Sequence, residues 1–272
     1  MCLTPTGFLT TYGPVLNPHK SADGIERDSG GSSSGCAALV ASGEVRLAVG
    51  SDQGGSIRIP SSCCGIVGLK PTYGLVPYSD MASIQSCMDH TGPMARTVDD
   101  LAAMLEARLC ATDFGLLNYK MADAFWRGTR TNQHCKGMLA VRLWADYYLE
   151  KYGPSVYGKS HSILLQLRRH YDDVLRSYDV IVTPTIKCTP MVIPQESDLL
   201  EVEAKGFPLY SANCQPFNLS HHPALTLNVG FCPTTGMPVG IQLVGSHWQE
   251  EKLLRVAKQL ETALLKFQKK QR

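Results

Sequence analysis

Several features that would direct a first reading are missing from this chain. Its net charge is only +2, with charged residues at 18%. So small an imbalance gives no argument for a nucleic-acid or membrane partner. The basic stretch Lys266 to Arg272 reads as a solvated, frayed helix end. No run approaches the ~18 apolar residues of a membrane span. The first residues carry no charged region followed by an apolar one, so no signal peptide is read. None of the ten cysteines stands in a CxxC pair or at metal-ligand spacing, and the adjacent Cys63 and Cys64 suit no normal disulfide. The cysteines therefore read as reduced, mostly buried small hydrophobes, and the compartment as cytoplasmic. Neither a GxxxxGK motif followed by Ser or Thr nor a GxGxxG between strand and helix is present, which removes the common phosphate cradles.

What is present is an ordinary globular composition of 272 residues, 44% of them hydrophobic, enough for a sizeable core. The chain reads as a single domain over residues 1–272. Residues 1–29 are rich in Pro, Gly, Thr, Ser and Asn without a period, and look like the middle of a protein rather than its start. Cys36 to Ala41 suits a short helix stopped at Gly43, and Val45 to Gly50 a short buried strand. Ile66 to Leu69 reads as a strand ended by Pro71, and Tyr73 to Pro93 as loop. Thr97 is a helix N-cap, with Asp99 and Asp100 in the first turn and Leu101, Met104 and Leu105 on the apolar face. Helical periods follow at Met138 to Leu149, Ser160 to Tyr178 and Gln249 to Phe267. Val180 to Val182, Leu225 to Val229 and Val239 to Val244 read as strands, with a turn at Gly236-Met237-Pro238. The alternation of helices and strands gives an α/β class, one mixed sheet covered by helices.

The chemistry concentrates in Gly30 to Pro60. Two serine-glycine clusters, Ser32 to Ser34 and Gly54 to Ser56, flank the short helix and strand. A helix followed by a strand returns both clusters to one end of the unit. A serine hydroxyl needs a group to take its proton, and the oxyanion it generates needs donors. Gln53-Gly54-Gly55-Ser56 suits the second task, because glycines permit a tight turn with inward N–H groups. A lone Gly-Gly-Ser turn is more often only a turn.

The whole run Gly30 to Ser61 resembles the signature of the amidase signature family of serine hydrolases. The resemblance continues in Gly65 to Thr72, in Asp89 to Pro93, in Thr97 to Asp100, in His222-Pro223-Ala224-Leu225 and in Gly236 to Gly240. In look it is nearest to bacterial-type carboxamide amidases. It implies a Ser-cisSer-Lys triad, with Ser56 the acyl-forming nucleophile and Ser32, after a cis peptide bond, the bridging serine. It implies an oxyanion hole from the backbone N–H groups of Gln53, Gly54, Gly55 and Ser56. Ser33, Asp52 and Arg58 match supporting positions, where an Asp–Arg pair would hold the loop.

The resemblance also exposes departures. The triad lysine, which in the family lies well upstream of the bridging serine, has no match here. Lys20 sits in a loop that fits no catalytic motif, and Lys70 matches a structural position. The stretch from Leu105 to about Asn132 is shorter than in full-length relatives, so the chain is expected to lack an N-terminal lysine-bearing segment and part of the middle region. His221 and His222 match a packing turn, Trp126 and Trp144 read as core or rim, and Cys36 and Cys64 lack an activating partner. The expected function is hydrolysis of a carboxylic acid amide to acid plus ammonia or amine through an acyl-serine. The alternatives are a catalytically inactive truncated relative and an amidotransferase A-type subunit. The expected partner is a small-molecule amide, with no cofactor, no metal, no nucleic acid and no membrane; a homodimer is compatible with the reading.

Overall fold

The computed structural model describes residues 6–8, 13–78, 81, 83–107 and 136–271. Trp126 and most of the stretch from Leu105 to about Asn132, expected to be shorter than in relatives, lie outside them, as does the Trp144 side chain. The first helix, α1, runs Ser34–Ser42 and ends on Gly43, whose φ of 86° is the left-handed cap that glycine adopts without strain. Strand β1 (Leu47–Asp52) follows, then helix α2 (Arg58–Cys63), strand β2 (Val67–Lys70) and strand β3 (His90–Ala95). Helix α3 (Val98–Glu106) begins as expected, with Thr97 Oγ1 accepting the Asp100 N–H at 3.2 Å. Helices α4 (Lys136–Tyr152) and α5 (Ser155–Ser177) lead to strand β4 (Ile181–Pro184). Helices α6 (Leu199–Ser211) and α7 (Gln215–Leu219) precede the β5 (Ala224–Phe231) and β6 (Pro238–Val244) hairpin, whose turn holds Gly236 at φ 68°. The final helix, α8, spans Glu250–Gln271.

The strands form one six-stranded sheet in the order β1-β3-β2-β5-β6-β4. The α/β class with helical covering stands. The pairing is antiparallel throughout the described strands, because β3 lies between β1 and β2 and opposes both. β1 and β2 run parallel to each other, which is what the helix between them suggests, but they are not neighbours.

β3 corrects the expectation of a loop from Tyr73 to Pro93. All six of its residues are buried, so no alternation of polar and apolar residues announces it, and a proline inside it argues against a strand. α2 was hidden by Pro60, which sits in the first turn of the helix, where the missing N–H costs nothing.

Successive side chains of β3 serve opposite faces of the sheet. Ala95 packs with Val67, Leu69, Leu225, Leu227 and Leu243 beneath α3 and α8, which contribute Val98, Leu101, Leu253 and Ala257. Met94 packs on the other face with Ala37, Val40 and Ile57. That second face carries α1, α2 and the serine-glycine clusters. Among the described residues no helix is long and apolar enough to cross a membrane. Cys63, Cys64 and Cys214 are free and buried as expected, whereas Cys36, Cys87, Cys188 and Cys232 are free and half-buried.

Candidate active site

α1 and β1 return the chain as the spacing of the two clusters requires. The Ser33 N–H donates to the Ser56 carbonyl at 3.2 Å, which stitches the first cluster to the second. The Ser33 hydroxyl donates to the Ser51 carbonyl at 3.2 Å and accepts the Ser51 N–H at 3.3 Å, so its side chain is committed to the end of β1. Gly50 makes this approach feasible: a Cβ there would lie 3.0 Å from Ser33 Oγ and 2.9 Å from both Ile57 Cγ1 and Met94 Sδ. The Gly31–Ser32 peptide is cis, as the resemblance implies.

Beneath the glycine turn lies a polar knot closed to solvent. The Arg58 guanidinium donates to both oxygens of Asp52, at 2.9 and 3.0 Å, with both side chains fully buried. Asp52 also accepts the Gly55 N–H at 2.7 Å and the Ile57 N–H at 3.2 Å. Burial alone would raise the Asp52 carboxyl, but the charge and hydrogen bonds of Arg58, helped by the Asn218 amide, outweigh it and hold it well below the usual carboxylate range. The remaining Arg58 donors reach the Cys214 carbonyl at 2.9 Å and Gln242 Oε1 and Asn218 Oδ1 at 2.6 Å each. Asn218 returns its amide to the Asp52 carbonyl at 2.9 Å and carboxylate at 2.8 Å. Each partner fills the others' hydrogen-bonding capacity, which is the condition for a tolerable buried ion pair.

Asn218 and Gln242 were not singled out in the sequence. They lie on α7 and β6, 160 and 184 positions from Arg58, and no local pattern marks them. A buried Asp–Arg pair does announce a need for further acceptors, since two of the guanidinium's five donors meet the carboxylate and the rest need partners.

The two serines that the resemblance marks as reactive belong to the same unit as this knot. Ser32 is 5% exposed and Ser56 is half-buried. Among the described residues neither hydroxyl makes a hydrogen bond, so the two clusters meet through the backbone and not through an Oγ–Oγ bond. The N–H groups of Gln53, Gly54 and Ser56 likewise have no partner among the described residues, while the Gly55 N–H is taken by Asp52. Of the four expected oxyanion donors, Gly55 therefore faces the carboxylate, and its φ of 126° turns the chain so that its neighbours do not. Gln53 is held by its side-chain amide, which donates to the Tyr78 hydroxyl at 2.7 Å.

Among the described residues no hydrogen bond joins either lysine singled out in the sequence to Ser32 or Ser56. Lys20 is exposed. Lys70 is fully buried and donates to the Pro71 carbonyl at 3.0 Å and the His222 carbonyl at 2.7 Å. Burial, reinforced by the Arg58 charge, pushes its pKa well below the ordinary lysine value. His221 stacks on Tyr73 with ring centroids 4.5 Å apart and meets the Cys87 carbonyl through Nε2 at 2.8 Å, in keeping with a packing turn. Burial pushes up the thiols of Cys36 and Cys64, which argues against their acting as nucleophiles.

Fold and loop together define an α/β protein built around a serine-glycine turn on a buried ion pair. The chain belongs to the amidase signature family, whose Amidase model matches residues 3–124 and 138–254. It is 29% identical over 367 positions to the enantioselective amidase of Rhodococcus rhodochrous, across 94% of this chain and 68% of that protein. It is 28% identical over 336 positions to the A-type subunit of the glutamyl-tRNA(Gln) amidotransferase of Archaeoglobus fulgidus, across 91% of this chain and 71% of that protein. The solved structure of the corresponding A-type subunit from Thermotoga maritima superposes with a TM-score of 0.66 at 26% identity, over 85% of this chain and 65% of that one. The chain thus spans about two thirds of the length of these relatives. The first alignment is longer than the chain's own 272 residues, so that relative carries segments inside the matched span that have no counterpart here.

Proposed function

We propose that the Gly30 to Pro60 unit is an amide-hydrolase site in which Ser56 is the nucleophile. The observation that carries this reading is the 3.2 Å bond from the Ser33 N–H to the Ser56 carbonyl, which holds Ser32 and Ser56 at one end of the unit. Ser56 Oγ attacks the carboxamide carbon while its proton passes to Ser32 Oγ. Ser32 gives its own proton to the leaving nitrogen, the C–N bond breaks, and ammonia or an amine departs. Water then attacks the acyl-serine ester and returns a proton to Ser56. The oxyanion is met by the N–H groups of Gln53, Gly54 and Ser56, the members of the turn not engaged by Asp52. Ser33, Asp52 and Arg58 hold the turn and touch no reacting atom. This route needs a small-molecule amide as substrate and no cofactor.

A fluorophosphonate probe tests it, because phosphonylation needs the same oxyanion donors as acylation. The expected result is an adduct mapped by mass spectrometry to Ser56 in preference to the other serines, and lost in Ser56→Ala. An adduct distribution without preference for Ser56 overturns the reading and favours a catalytically inactive relative. The amidotransferase reading is supported by the Archaeoglobus fulgidus likeness at 28% identity, close to the 29% of the amidase. Release of ammonia from glutamine, and not from simple carboxamides, would separate it from the first reading.

A further inference from the structure

Away from the serine turn, three metal-ligating side chains converge from three elements. Asp172 lies on α5, His222 in the turn entering β5, and His247 just after β6. Asp172 Oδ1 is 3.1 Å from His222 Nε2 and 3.1 Å from His247 Nδ1. The two imidazole rings lie 3.9 Å apart between centroids, and one ligand atom from each residue falls within 4.8 Å of the others.

Proton counting shows that this cluster is one positive charge short. His247 Nε2 lies 3.0 Å from the Ser220 carbonyl, which can only accept, so that nitrogen carries the proton. In a neutral imidazole the other nitrogen, Nδ1, then presents a lone pair, and it faces the Asp172 carboxylate. Two acceptors at 3.1 Å with nothing between them repel. His222 has no such conflict: its Nε2 can donate to Asp172 while its Nδ1 accepts from Ser220 Oγ at 3.0 Å. The conflict at His247 is relieved by a proton or by a metal cation.

We propose that Asp172, His222 and His247 bind one divalent transition-metal cation of the zinc type, at a structural site that ties α5 to the ends of β5 and β6. The spacing fits. Ligand atoms bound at ~2.0–2.2 Å in a tetrahedron stand roughly 3.3 Å apart, close to the two 3.1 Å separations. One carboxylate and two imidazoles suit zinc or its neighbours and not calcium or magnesium. The nearby Arg168 and Lys70 charges repel a cation, and the Asp172 carboxylate opposes them. Asp172 is 37% exposed, which leaves an entry path, while His222 is fully buried and His247 12% exposed. A clamp here has a structural purpose, since among the described residues of the 23-residue α5 only Leu175 is buried.

The test uses the whole 272-residue chain, stripped with a chelator and titrated with Co²⁺ as the spectroscopic probe. The expected result is one equivalent bound, with visible d–d absorption of a four- or five-coordinate ion and no thiolate charge-transfer band. Zn²⁺ should displace the Co²⁺ and raise Tm with increasing concentration. Asp172→Asn and His247→Ala should each weaken binding by at least about 100-fold, since loss of even an outer partner costs up to that much. Circular dichroism checks the fold of both variants, and Asp172→Asn, at the more exposed position, carries the test if His247→Ala unfolds. No uptake by the folded parent chain overturns the proposal and leaves a His247 imidazolium as the missing charge. Unchanged uptake in the variants, or a thiolate band from the cysteines, overturns it equally. The Ser56→Ala chain should bind as the parent does, which separates this site from the serine turn.

Discussion

Asp52 and Arg58 meet six residues apart in a two-pronged ion pair that no solvent reaches, with separations of 2.9 and 3.0 Å. The pair is the floor of the glycine turn. Its carboxylate fixes the Gly55 and Ile57 N–H groups, and its guanidinium gathers α7 and β6 through Asn218, Cys214 and Gln242. Removing one partner leaves the other charged and buried.

Arg58→Ala is therefore expected to destabilise the fold by about 3–5 kcal/mol, the usual cost of orphaning one member of a buried pair. Asp52→Ala should cost a similar amount, since Arg58 keeps its neutral acceptors but loses its counter-charge. Urea unfolding followed by circular dichroism measures both. A loss below about 1 kcal/mol for either would mean that the surrounding amides alone hold the turn.

Ser33 and Ser56 should separate under the same measurement. The Ser33 hydroxyl makes two hydrogen bonds to the Ser51 main chain, so Ser33→Ala strands a buried carbonyl and N–H at a cost of about 1–3 kcal/mol. The Ser56 hydroxyl makes no hydrogen bond among the described residues, and Ser56→Ala should stay within about 0.5 kcal/mol of the parent chain. A stability-neutral serine in a turn with free N–H donors is what a nucleophile looks like thermodynamically. Equal losses for the two variants would argue that Ser56 is structural.

Much of this site was legible in the sequence because its parts are close in the chain. The span from Gly30 to Pro60 holds both clusters, the turn glycines and the ion pair, and the helix-strand return that joins them follows from Ala-rich and apolar runs bounded by glycine. The N-cap at Thr97 and the Gly236 turn were legible for the same local reasons. What escaped depends on burial or on distance. β3 is buried on both faces and contains Pro93, so neither alternation nor propensity identifies it. Asn218, Gln242 and the Asp172, His222 and His247 cluster are assembled from segments that meet only in the fold. The engagement of the Gly55 N–H by Asp52 is a matter of backbone direction, which residue types alone leave open.

Asp28 offers a pH signature. Its Oδ1 accepts from the Tyr210 hydroxyl at 2.8 Å, while Oδ2 is buried with no close hydrogen bond among the described residues. Burial raises its pKa from 3.8 to about 6. The folded state therefore binds a proton there that the unfolded chain releases more readily. The stabilisation is fully present below the unfolded value near 3.8 and is lost as pH rises through about 6. Relative to Asp28→Asn, the parent chain should lose up to ~3 kcal/mol across this window, at ~1.4 kcal/mol for each unit of pKa difference. Urea midpoints of both chains at intervals from about pH 4 to about pH 7 check it, and parallel curves would place Asp28 in a better-solvated setting.

Amide turnover by these 272 residues is expected to be slow. In the triad that the family resemblance implies, a lysine receives the proton that the bridging serine relays. Within this sequence Lys20 is exposed, and Lys70 spends its donors on two carbonyls. With no such base on them among the described residues, Ser32 and Ser56 are expected to remain neutral hydroxyls, and a neutral serine attacks an amide poorly. Members of such a unit are not additive: loss of one can leave only ~10³–10⁴-fold catalysis over water, from the oxyanion donors and binding alone. Selective but slow phosphonylation of Ser56 is consistent with this, because the probe is far more electrophilic than an amide. The measurement is hydrolysis of simple aliphatic and aryl carboxamides by the purified chain across neutral and alkaline pH, beside Ser56→Ala. The expected outcome is a difference between the two of less than about tenfold, well short of the ~10²–10⁴-fold that a positioned general base supplies. Robust turnover abolished by Ser56→Ala would overturn the expectation and show that another group takes the proton. Lys20→Ala and Lys70→Met would then be the next variants, the first to ask whether the loop lysine reaches Ser32, the second whether Lys70 leaves its carbonyls.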